Sequence, residues 1–95
     1  MTLILTSRER ARLKSRAHAL APIVQVGQGG VSDAVVVELD RALAAHELIK
    51  VRINGTDREA RHATAEEICT RTGAAAVQQV GKILVLWRPK PEEAP

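Results

Sequence analysis

The chain has 95 residues, 45 % of them hydrophobic, and Trp87 is its only aromatic residue. That allows one domain with an aliphatic core and excludes a separate catalytic domain. The net charge of +3 is unevenly spread: 1–32 carries five bases and one acid, 33–67 five bases and eight acids, and 68–95 four bases and two acids.

Thr6-Ser-Arg-Glu9 fits a capping box and predicts a first helix from about Ser7 to Ala17. Arg8, Arg12 and Arg16 share one side of it, Arg10 and Lys14 point largely the other way, and Leu13 with Ala17 form a narrow apolar stripe. Pro22 breaks the helical run, and Ile23–Val26 reads as a short, mostly buried strand. Gly27-Gln28-Gly29-Gly30 follows, and Ser32 is a good N-cap for a second helix. Val35, Val36, Leu39, Ala42 and Leu43 recur at helical spacing and carry that helix to about His46.

Leu48–Asn54 alternates, with Ile49, Val51 and Ile53 on one face and Lys50 and Arg52 on the other. Thr56-Asp-Arg-Glu59 predicts a second capping box with Thr56 as the cap, and Gly73 closes that helix. Its expected apolar side is Ala60, Ala63, Thr64 and Ile68. Residues 75–80 and 83–88 flank Gly81-Lys82, which suits a two-residue hairpin turn. Residues 91–95 read as a flexible tail on a single domain of residues 1–90.

Helix, strand, helix, strand, helix, strand, strand predicts a two-layer α/β domain with a four-stranded mixed sheet. Cys69 is the only cysteine, so no internal disulfide can form, and a reducing, cytoplasmic setting is expected. The opening Met-Thr-Leu-Ile-Leu-Thr is too short for a signal sequence, and no apolar run approaches membrane-spanning length.

The chemistry concentrates between Arg12 and Ser32. Glycine lets another molecule approach the backbone without a Cβ in the way. A helix opening just beyond adds free N–H groups and a partial positive charge, about 0.3–1 kcal/mol toward an exposed anion. That is too little to hold a polyanion alone, so Arg12, Lys14 and Arg16 are expected to supply the larger part. With no aromatic platform for stacked bases, any nucleic-acid binding should lean on phosphates and shape. His18 reads either as a helix-terminal residue bonding a carbonyl or as a direct contact, and Lys50 either as the wet face of a strand or as the border of the same surface. Trp87, alternating with Ile83 and Val85, reads as core.

Nothing points to catalysis. His18, His46 and His62 have no metal-binding spacing with Cys69, and the glycine run lacks the Gly-Lys-Ser/Thr ending of a phosphate-binding P-loop. No metal, cofactor, membrane or small-molecule substrate is expected, and the default is a monomer.

Taken together, Leu13-Lys14…Ala17-His18…Leu20…Pro22…Gly27-x-x-Gly30-Val31-Ser32, then His46-Glu47-Leu48-Ile49-Lys50-Val51 and Gly81-Lys82…Val85-Leu86…Arg88-Pro89, closely resemble the YhbY family. Its members are stand-alone bacterial versions of the CRM domain (chloroplast RNA splicing and ribosome maturation). The resemblance covers roughly residues 5–90. It implies an RNA-binding module with a fold similar to the C-terminal domain of bacterial translation initiation factor three, linked to precursors of the large ribosomal subunit. By position Lys14, His18, Gly27, Gly30 and Lys50 match the family pattern, and Gln28 and Gly29 complete the loop. Gln28 departs from it, because that position is often lysine, so the loop's positive charge must come from elsewhere. The rival expectation is a ribosome-associated adaptor whose acidic middle segment touches basic proteins without direct RNA contact.

Overall fold

Seven elements follow the predicted order: α1 (Ser7–Ala17), β1 (Pro22–Val26), α2 (Asp33–His46), β2 (Leu48–Ile53), α3 (Arg58–Thr72), β3 (Ala75–Val80) and β4 (Ile83–Trp87). The structure is a computed structural model that describes residues 4–27, 29–55 and 57–90. The strands form one mixed sheet in the order β1-β2-β4-β3, with β1 parallel to β2 and the other pairs antiparallel.

The local signals act as expected at α1. Thr6 Oγ1 accepts from the Glu9 N–H at 3.1 Å while Glu9 Oε1 accepts from the Thr6 N–H at 3.0 Å. The bond from the Thr6 N–H first, and the Thr6 hydroxyl second, hold the Glu9 carboxyl below its usual range. Ser32 caps α2 through Val35, and Gly73 ends α3 in the left-handed region at φ 73°.

Two expectations at α3 are corrected. Its cap is Asp57, whose Oδ1 accepts from the Glu59 N–H at 3.0 Å, and the expected cap Thr56 lies outside the described residues. Its inward stripe is Arg61, Ala65, Ile68 and Thr72, while Ala60 and Ala63 are exposed. The stripe is rotated because Arg61 reaches inward, its Nη1 donating to the Gly55 carbonyl at 2.8 Å and its Nε to that of Gly81 at 3.1 Å.

The expected two layers are corrected to three. Ile49, Val51 and Ile53 of β2 and Leu84 and Leu86 of β4 pack with Leu39 and Leu43 of α2 and Ile68 of α3. The opposite face holds a separate, smaller cluster, in which Leu13 and Ala17 of α1 meet Leu48, Val77 and Val85, with Trp87 half-buried beside them. α1 therefore lies alone on one face, because the period-2 alternation of β2 and β4 makes both sides of the sheet apolar at the Leu48–Trp87 end.

Two arginines tie the layers together. Arg10 Nη1 donates to the carbonyls of Ala76 at 2.8 Å and Val77 at 2.7 Å, where β3 departs from regular register. Arg88 donates to Asp40 Oδ1 at 2.8 Å, the Asp40 carbonyl at 3.2 Å and the Thr72 carbonyl at 2.7 Å, joining β4 to both α2 and α3. Among the described residues no helix is long and apolar enough to cross a membrane.

Candidate functional site

With only Leu13 and Ala17 buried, α1 covers one end of its face of the sheet and leaves the other end open. The open end carries Lys50, Gln78 and Ile83, half-buried, and Gln25, Arg52 and Val80, exposed. Lys50 is its centre. It borders one groove with Lys14 and His18 from the end of α1, floored by Val80, Ile83 and Val85. It also borders a second groove with Arg16, Leu20 and Ile23.

The structure thus brings Lys14, Arg16, His18 and Lys50 around one strip of sheet. His18 is exposed at the end of α1, and its backbone N–H closes back on the Ser15 carbonyl at 3.3 Å. Arg12 is exposed on α1 but lines neither groove beside Lys50. Cys69 is half-buried in the main core, and burial, with a smaller push from Glu66, raises its thiol above the usual range.

The glycine loop lies at the far end of β1. Gln25 pairs with Arg52 and Val26 with Ile53, so the loop begins about 13 Å beyond Lys50 along the strands, four residues of rise. Arg52 stands between them with its Nε donating to Asn54 Oδ1 at 3.3 Å. Gly27 and Gly29 are exposed and Gly30 half-buried, and Gln28 lies outside the described residues. A Cβ added at Gly27, Gly29 or Gly30 would meet nothing within 4 Å, and of these only Gly30 has a positive φ, of 91°. Neither packing nor backbone conformation requires glycine at 27 or 29, so what those positions offer is bare backbone facing solvent.

The start of α2 is less available than a free helix terminus. Ser32 Oγ already accepts from the Val35 N–H, and the carboxylate of Asp33 occupies the first turn, paired with Arg71. Arg71 Nη1 also donates to the Val31 carbonyl at 2.6 Å. On its α3 side the loop meets a recess holding Asp57. That recess also holds Arg61, whose guanidinium is bound to the Gly55 and Gly81 carbonyls, whereas Lys50 and Arg52 line the opposite side of the loop's strand.

The model of the CRS1 / YhbY (CRM) domain family matches residues 5–88. The chain belongs to this family. Among CRM relatives, a Haemophilus influenzae protein named "RNA-binding protein" is 43 % identical over 88 residues, covering 93 % of this chain and 89 % of the relative. A Bacillus subtilis protein named "Probable RNA-binding protein YqeI" is 37 % identical over 89 residues, covering 94 % and 93 %. The solution structure of a hypothetical protein from Staphylococcus aureus superposes with a TM-score of 0.83 at 31 % identity, covering 96 % of this chain and 95 % of that one.

Two further cations of this CRM domain lie at or near the strip, and neither was assigned to the site from the sequence. Arg52 lies on the Lys50 face between the grooves and the loop. Lys82 is exposed at the tip of the β3–β4 hairpin, beside the end of β2 where its carbonyl accepts from the Ile53 N–H at 2.7 Å. The signal for Arg52 was the alternation of β2 itself. That for Lys82 was the antiparallel pairing that sets Ile83 opposite Arg52. Among the described residues no group of His, Cys, Asp and Glu could hold a metal ion.

Proposed function

We propose that this CRM domain is an RNA-binding protein that engages ribosomal RNA in precursors of the large ribosomal subunit. Lys14, Arg16, His18 and Lys50 would face the phosphates, Arg12 would add charge from outside the two grooves, and the backbone of Gly27–Gly30 would receive one phosphate at the end of the strip. The observation that carries the reading is Lys50, which shares one groove with Lys14 and His18, a second with Arg16, and a strand face that runs through Arg52 to an unobstructed loop. Several phosphate contacts of this kind release counterions, so affinity is expected to fall steeply with salt. The names of the relatives point to RNA as the ligand class, and the family resemblance points to the ribosomal precursor.

The adaptor reading is weakened by where the acids sit. Asp33 and Glu67 pair with Arg71 and Asp40 with Arg88, so three of the eight acids of the middle segment already face a cation within the chain. The test is a gradient profile of cell lysate with and without ribonuclease, joined to binding of purified protein to ribosomal RNA fragments across 50–200 mM salt. Loss of particle association on digestion, with a steep salt slope that flattens in the triple variant K14A/R16A/K50A, is the expected result. Association that survives digestion, with no salt-dependent RNA binding, would refute the proposal.

A further inference from the structure

The second groove beside Lys50 joins exposed aliphatic side chains to two cations of the strip. Leu20 is 37 % exposed and Ile23 51 %, and both stand beside cations of this surface. They form one wall of a groove of about 390 Å³, whose rim carries Arg16, Lys50 and His46 and whose floor includes Leu48. Phosphate binding has no use for aliphatic walls. An isolated apolar patch would not need two cations leaning over it. The combination matches a nucleotide, whose base has a flat apolar face and whose phosphate is anionic, and the volume lies in the range of small-ligand pockets.

On this basis, and resting on the RNA-binding reading above, we infer that the Leu20–Ile23 groove accepts one unpaired nucleobase, with Arg16 and Lys50 on its flanking phosphates. Aliphatic side chains here take the place that aromatic rings hold in other single-strand readers. The domain would then prefer RNA containing loops or bulges over continuous duplex, because a paired and stacked base cannot enter the groove. β1 puts this groove and the glycine loop at opposite ends of one strand. The loop would therefore receive a phosphate a few nucleotides away from the extruded base.

The test uses three RNAs of equal length: a hairpin with unpaired loop nucleotides, the same hairpin with abasic sites at those positions, and a continuous duplex. Affinities are read by fluorescence anisotropy for the full chain and for the L20Q/I23Q variant, with melting curves to verify folding. The wild type should bind the intact hairpin about five- to tenfold more tightly than the abasic hairpin or the duplex. L20Q/I23Q should lose that margin while its salt slope stays unchanged, because its phosphate contacts remain. A second variant, Lys50→Ala, should instead lower the slope and weaken all three RNAs alike. Equal wild-type affinity for intact and abasic hairpins, or a preference kept by folded L20Q/I23Q, would overturn the groove assignment while leaving RNA binding intact. Absence of salt-sensitive binding to any of the three would overturn RNA binding itself.

Discussion

Replacing Gly27 and Gly29 by aspartate should separate folding from binding. A Cβ at either position meets nothing within 4 Å, and neither backbone is left-handed. Stability should therefore stay within about 1 kcal/mol of the wild type, helped by a less flexible unfolded chain. Binding should change far more. A carboxylate about 4 Å from a phosphate costs about 1 kcal/mol in bulk water and about 4 kcal/mol at the effective dielectric of a protein surface. Two of them should lower affinity at least about tenfold, each 1.4 kcal/mol being about a factor of ten. Gly30→Ala is the control with the opposite pattern. Its φ of 91° lies where a Cβ is strained, so it should cost about 1–2 kcal/mol of stability. Circular dichroism melts and anisotropy titrations at low and physiological salt give both readings. A fully folded G27D/G29D variant with wild-type affinity would remove the loop from the interface.

Three further outcomes follow from the fold. Leu39→Ala should cost about 2–5 kcal/mol by chemical denaturation, since Leu39 is fully buried between α2 and the sheet. Arg10→Ala should cost about 1–3 kcal/mol, because its guanidinium donates to two β3 carbonyls, and hydrogen exchange should show α1 loosening before the rest. Glu9 carries a carboxyl held below its ordinary value of 4.5 by the capping box, so its contribution is present above that pH and lost as pH falls through the lowered folded value. The acid side of a melting-temperature profile should accordingly drop less for Glu9→Gln than for the wild type.

Element boundaries were legible because caps and periodicity are local. Ser7–Ala17 and the Gly73 stop need nothing beyond their own neighbours. The face on which α1 packs was not legible, since Leu13 and Ala17 declare that they are buried but not against which side of the sheet. The same limit applies to charges. Lys14 and Lys50 could be named as candidates from the order of residues and the family pattern, and the structure sets them beside one groove. That Arg10, Arg61 and Arg88 serve as ties to backbone carbonyls depends on partners 66, 20 and 16 residues away. The rotated stripe of α3 follows from one of these ties, and no local pattern encodes it. The absence of Arg52 from the residues assigned to the site has a similar origin, because its neighbours along the strip come from β1 and the hairpin.

The one-sided placement of α1 gives the sheet one face packed under two helices and one face that is covered only in part. Substitutions among the aliphatic residues beneath α2 and α3 are constrained by close packing. The cations above the opposite face can be exchanged, added or lost with little penalty to folding, because most of them touch solvent on at least one side. A family built on this plan can retune what it recognises without renegotiating how it folds.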